Sequence, residues 1–325
     1  MAFAFVFPGQ GSQSVGMLGA LAAAESTVRA TFDEASAVLG YDLWKLASEG
    51  PEEELNSTAR TQPALLAAGV ATWRCWRARG GAEPATVCGH SLGEFTALVC
   101  AESLEFRAAI GLVRFRGEVM QEAVPAGSGA MAAILGLDDA EVEAACREAA
   151  AGGGAGLRGN EVVEAANFNS PGQVVIAGES AAVERAIAAA KARGAKRAVM
   201  LPVSVPSHST LMRGAAERLR GRLSAVGLKP PRIRYVSAVD AAAHAGPADI
   251  RDLLVRQLSS PVRWSDTVRA LIGGGVGEII ECGPGRVLTG LNRRIERRAG
   301  LEFLALEDPE SLDAALAATR EGGHA

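Results

Sequence analysis

Neither charge sign is in surplus in this chain: 33 basic residues stand against 37 acidic ones among 325. A nucleic-acid-binding surface needs a basic excess, and gripping single strands also takes stacking aromatics. Those are sparse, with nine Phe, four Trp and two Tyr. The apolar run at the N-terminus, Ala2 to Phe7, is far shorter than a signal-peptide core or a membrane span requires. A cytoplasmic protein is therefore expected. Five cysteines (Cys75, Cys88, Cys100, Cys146 and Cys282) form no C-x-x-C pair and no metal spacing, so they are expected as buried, reduced thiols. No segment is biased enough in composition to be read as disordered. The length suffices for one large domain or two modest ones with a substantial core.

The stretch that organises the chain is Ala85 to Ala101, ATVCGHSLGEFTALVCA. A short β-type run, Thr86-Val87-Cys88, turns through Gly89-His90-Ser91-Leu92-Gly93 into apolar residues at helical spacing. Strand, G-x-S-x-G turn and helix form the context of a nucleophile elbow. The glycines allow the crowded backbone of such a turn, and the first free N–H groups of the helix point beside the Ser91 hydroxyl. An ordinary glycine-flanked turn is the bland alternative.

Around this stretch the pattern is mixed α/β. Ala2–Phe7 reads as a buried strand closed by Pro8-Gly9-Gln10-Gly11-Ser12-Gln13. Position 14 is Ser14 where a dinucleotide fingerprint would place its third glycine, which weakens that reading. Helical periodicity runs over 25–39, 63–79 and 105–123. From Gly129 the order becomes strand 130–136, helix from an Asp138/Glu141 capping box to 150, strands 162–167 and 173–177, helix 180–194 and strand 196–201. That βαββαβ order is ferredoxin-like. Gly152–Gly159 reads as a glycine-rich surface loop. Beyond it, helices and strands alternate over 209–226, 233–237, 249–258, 265–271, 277–281 and 287–298, which predicts a mainly parallel sheet. The fold expected is an α/β hydrolase-like core from 1–128 and 202–325, with a ferredoxin-like subdomain inserted at 129–201.

A nucleophilic serine needs a base, and histidine serves near neutral pH. Of four candidates, His324 is in the C-terminal tail and His244 in an Ala/Gly/Pro loop. His90 adjoins Ser91 and should point away from its hydroxyl. His208, in Val205-Pro206-Ser207-His208 at the start of a helix, remains. The acid of an ordinary triad is missing, because the only aspartates between Ser91 and His208 are Asp138 and Asp139, in the inserted part. A backbone carbonyl could orient the imidazole instead. Arg114 and Arg116 cannot share one helix face, and Val113, Phe115 and Val119 mark the buried side. One arginine is thus left near the core margin, where a buried guanidinium requires an anionic partner. Glu118 or Glu122 could provide a structural salt bridge.

With PGQGSQ at 8–13, GHSLGE at 89–94, RFRG at 114–117 and VPSH at 205–208, the chain closely resembles malonyl-CoA:acyl carrier protein transacylases. The resemblance continues through NFNSPGQ at 167–173, Gln257-Leu258, PVRW at 261–264 and Gly283-Pro284-Gly285. It implies a hydrolase-like core with a ferredoxin-like insert and no cofactor. Ser91 would be the nucleophile and His208 the base, with the amides of Gln10 and Leu92 as the oxyanion hole. The Gln257 carbonyl would orient His208, and Arg116 would bind the malonyl carboxylate. Gln62, Asn167 and Asn169 would line the pocket or the pantetheine channel. The implied reaction is ping-pong transfer from malonyl-CoA to the pantetheine thiol of acyl carrier protein, serving fatty-acid synthesis. A polyketide pathway, tolerance of methylmalonyl, a thioesterase and an inactive carrier-binding scaffold are the alternatives. Arg293, Arg294, Arg297 and Arg298 are expected as a basic cluster on one helix, with Arg293 and Arg294 docking an acidic carrier protein. A monomer is expected.

Overall fold

The computed structural model describes residues 2–152, 161–203 and 205–321. Its ten strands are β1 (Ala2–Phe7), β2 (Thr86–Gly89), β3 (Gly129–Leu135), β4 (Val163–Ser170), β5 (Gln173–Glu179), β6 (Arg197–Met200), β7 (Arg234–Ser237), β8 (Ala242–His244), β9 (Val276–Cys282) and β10 (Glu302–Leu306). The larger sheet runs β10-β9-β1-β2-β7-β8, parallel throughout except for β8, which turns back on β7. The smaller sheet is antiparallel, in the order β4-β5-β3-β6. With helices 139–151 and 180–192 between its strands it has the ferredoxin-like arrangement. An apolar cluster drawn only from residues 130–198 fills the space between this sheet and those two helices.

β1 shows why the larger sheet is a middle layer. Its Phe3, Phe5 and Phe7 pack with Trp76, Leu65 and Phe95 on one face, while Ala4 and Val6 join Trp264, Val268 and Leu288 on the other. Side chains alternate along a strand, so a strand apolar at every position needs a covered surface on both sides.

Several expectations shift. The helix expected from Pro63 begins at Thr58 and encloses the proline, because Thr61 and Gln62 are buried along with the apolar residues that follow. At 209–226, a 3₁₀ turn at Thr210–Met212 precedes the helix Arg213–Ser224. Asp138 caps its helix by accepting the Glu141 amide at 2.9 Å, but the Glu141 carboxylate pairs with Arg193 and does not return to complete the box. His244 belongs to edge strand β8 and is paired with Asp240. All five cysteines are free and buried. The basic cluster is not on one helix. That helix, Val287–Ile295, stops where the Glu296 carboxylate accepts the amides of Arg297 and Arg298, leaving both arginines beyond its end. His324 and residues 153–159 of the glycine-rich stretch lie outside the described residues.

The candidate active site

The site lies where β2 ends and the helix Gly93–Cys100 begins. The His90 amide still donates to the Phe7 carbonyl of β1, and the chain then reverses so that Gly93, Glu94 and Phe95 donate to the carbonyls of His90, Ser91 and Leu92. A Cβ on Gly93 would sit 2.0 Å from the Phe7 oxygen, so the turn admits only glycine there. Ser91 is held at φ 51° and His208 at φ 63°, both in the left-handed region. Non-glycine residues rarely stay there unless the surrounding structure fixes them, and such residues concentrate at functional sites.

The two side chains meet. His208 Nε2 is 2.8 Å from Ser91 Oγ, and Nδ1 is 2.7 Å from the Gln257 carbonyl oxygen. A carbonyl can only accept, so Nδ1 carries the proton and Nε2 offers its lone pair to the serine hydroxyl. Burial, and then the nearby Arg116 cation, push the His208 pKa down to about 3. The imidazole is therefore neutral at physiological pH. His90 turns away from Ser91, with Nε2 2.8 Å from Asn169 Oδ1.

Arg116 is the other centre of the site, only 1% exposed. Its Nη1 donates to Gln62 Oε1 at 2.9 Å. Its Nη2 donates to Gln257 Oε1 at 2.9 Å and to Ser91 Oγ at 3.2 Å. Glu118 and Glu122 are not its partners, for they pair with Arg114 and Arg218. The approach depends on Gly117: a Cβ there would meet Ala59 Cα of the facing helix at 2.7 Å, so glycine lets helices 58–78 and 106–121 close up and brings Arg116 to Gln62.

A cavity of about 510 Å³ opens above these groups, lined by Gln10, Leu92, Asn167 and Asn169 among others. The two asparagines reach it from β4, which is joined to the larger body through hydrogen bonds between Ala166, Phe168 and Val262. The amides of Gln10 and Leu92 donate to no other protein group among the described residues. Arg294 donates to Gln173, a residue that lines the cavity, whereas Arg293 donates to the Phe303 carbonyl.

Two features escape sequence reading. The Gln257 side chain, besides its carbonyl, bonds both Arg116 and the Ser91 main chain, with Nε2 3.0 Å from the Ser91 oxygen. Glu94 is a fully buried carboxylate that accepts from Tyr235 Oη, from Ser237 Oγ at 3.1 Å and from the Ala238 amide at 3.0 Å. Burial raises its pKa to about 6 despite these donors. Its position among Phe95, Ala97 and Leu98 on an otherwise apolar helix is the one sequence signal that could have found it.

A serine raised on a strand-to-helix turn and bonded to a histidine, in an α/β fold, is the arrangement that acyl transfer through a serine calls for. Residues 4–298 match the acyl transferase domain family. The malonyl CoA-acyl carrier protein transacylase of Salmonella typhimurium is 55% identical over 97% of this chain and 98% of its own, and that of Bacillus subtilis 43% identical over 98% and 97%. Among solved structures, an acyl carrier protein S-malonyltransferase from Vibrio cholerae superposes with a TM-score of 0.91 at 54% identity, covering 97% of this chain and 100% of that one. A malonyl-transacylase in complex with a type II PKS acyl-carrier protein gives 0.94 at 53% identity, covering 98% of this chain and 100% of that one. This chain belongs to the malonyl-CoA–acyl carrier protein transacylases.

Proposed function

We propose that the chain transfers malonyl from malonyl-CoA to the pantetheine thiol of acyl carrier protein through a malonyl ester on Ser91, loading extender units for fatty-acid synthesis. The observation that carries this reading is the buried Arg116 guanidinium beside the Ser91–His208 pair. A planar fork suits a carboxylate, and a site for simple hydrolysis of neutral esters has no use for a cation there. His208 takes the Ser91 proton as Oγ attacks the thioester carbonyl, and the amides of Gln10 and Leu92 stabilise the developing oxyanion. The tetrahedral species expels the CoA thiolate, which takes the proton from His208. In the second half-reaction His208 accepts the proton of the carrier thiol. The thiolate attacks the ester, and Ser91 leaves with that proton. The Gln257 carbonyl holds the imidazole in the required tautomer. Every proton is accounted for by these residues, so no cofactor is called for.

Intact-mass measurement with malonyl-CoA, followed by holo carrier protein, tests this. An adduct that the carrier discharges is expected. An adduct that decays equally fast in buffer would indicate a thioesterase, and no adduct would indicate another acyl group or a scaffold. A polyketide carrier is a second acceptor worth assaying, given the solved relative in complex with one. The same reading takes 129–201 as a subdomain inserted between 1–128 and 202–325, supported by its own apolar cluster. A monomer remains the proposed state, and five free buried thiols suit the reducing cytoplasm.

The base works only when neutral, so its lowered pKa moves the loss of activity to lower pH. The acid limb of kcat/KM for malonyl-CoA, which reports the free enzyme, is expected well below pH 6.5. Glu94 also titrates near 6. A limb at 6–7 that persists in Glu94→Gln would belong to His208 and contradict the assignment. For docking, Arg294 and Arg293 remain the proposed contacts with an acidic carrier. Reversing both charges is expected to raise KM for carrier protein about tenfold at low salt, and less at high salt. An unchanged KM at low salt removes them from the docking surface.

A further inference from the structure

A buried guanidinium ordinarily takes a carboxylate partner. Arg116 instead has amides: its two Nη atoms donate to the side-chain oxygens of Gln62 and Gln257. The carboxylate whose charge acts on Arg116 is Glu94, and its oxygens already accept from Tyr235, Ser237 and Ala238. The helix neighbours Glu118 and Glu122 are committed to other arginines. Both glutamines are oriented so that oxygen, not nitrogen, faces the cation. Gln62 Nε2 contacts Met120 Sδ at 3.4 Å, and Gln257 Nε2 donates to the Ser91 carbonyl. The fork is thus fixed in direction by neutral oxygens, with Glu94 acting on it as a nearby charge and not as a hydrogen-bonded partner. Arg116 Nε, moreover, has no hydrogen-bond partner among the described residues.

We infer that Gln62 and Gln257 determine acyl specificity: their neutral oxygens aim Arg116 while reserving its charge for an acyl group that carries its own carboxylate. The inference rests on the malonyl-transfer reading and adds a requirement to it, that the cradle be uncharged. Glutamate has nearly the same shape as glutamine. At position 62 it would pair with Arg116 and set a negative charge against the incoming carboxylate, so selectivity would be lost through repulsion as well as lost attraction.

The test compares loading of Ser91 from malonyl-CoA and from acetyl-CoA in wild type, Gln62→Glu and Gln62→Met. In Gln62→Glu the ratio of kcat/KM values, malonyl over acetyl, is expected to fall on the order of 10²-fold, mainly through KM for malonyl-CoA. In Gln62→Met, which removes the acceptor without adding charge, the ratio is expected to fall less than about tenfold even where both rates drop. An unchanged ratio in Gln62→Glu, or an equal fall in Gln62→Met, would overturn the inference. Gln257→Glu keeps the main-chain carbonyl that holds His208 but sets a second carboxylate beside Glu94, which the Gln257 side chain also bonds, so it is paired with Glu94→Gln. That double variant should reproduce the fall relative to Glu94→Gln alone, and it decides the matter if Gln62→Glu does not fold. Failure of the wild type to load malonyl would instead defeat the malonyl-transfer reading itself.

Discussion

Replacing Ser91 with alanine is expected to abolish the malonyl adduct and to lower malonyl transfer on the order of 10⁴–10⁶-fold. The size of the effect follows from the neighbourhood, which offers no substitute. His90 is turned towards Asn169, and the Cys88 thiol is fully buried in β2, where desolvation keeps it protonated. His208 would retain its bond to the Gln257 carbonyl but would have no hydroxyl to activate. The fold should be indifferent to the change. Serine and alanine both carry a Cβ, so the left-handed backbone at position 91 is equally strained in either, and the hydroxyl makes no contact outside the site. Intact mass after malonyl-CoA treatment, with a thermal melt beside it, checks both statements. A persisting adduct in a well-folded Ser91→Ala protein would place the nucleophile elsewhere.

The parts of this site legible in the sequence are those that local rules dictate. The elbow could be read because a sharp strand-to-helix turn demands glycine at 89 and 93 whatever surrounds it. His208 could be reached by elimination because only four histidines exist. The βαββαβ order could be read from alternating periodicities. Long-range choices were not legible. Which of Arg114 and Arg116 enters the core depends on how closely two helices cross at Gly117, a property of both helices. The Gln257 side chain lies 166 positions from Ser91 along the chain, and nothing local distinguishes it from a surface glutamine. Glu94 reads like any helix glutamate until β7 and the turn after it supply three of its donors. The end of the helix at Ile295 was set by a side chain, Glu296, capturing the amides beyond it, a competition that periodicity does not register.

Arg116→Ala is expected to lower malonyl loading about 10²–10³-fold, the usual consequence of removing one buried, charge-assisted contact. Three consequences separate loss of substrate recognition from general damage. First, any ester that does form should hydrolyse faster relative to transfer. Anchored by its carboxylate, the malonyl group is held where the carrier thiol reaches the carbonyl and water is badly placed; unanchored, it swings freely. Second, the His208 pKa should rise, because the Arg116 cation is the second cause of its depression after burial. The base is then protonated at higher pH, so the acid limb of the kcat/KM profile should move upward, towards the ordinary histidine range. Third, Arg116→Lys should restore much of that pH behaviour but little of the malonyl selectivity, since an ammonium supplies the charge without the fork that Gln62 and Gln257 aim. Parallel measurement of carrier loading and of free malonate release, across pH, reads all three. Malonyl transfer left intact in Arg116→Ala with hydrolysis still low would show that the guanidinium neither binds the carboxylate nor protects the ester. The cation beside Ser91 would then have only its effect on the base.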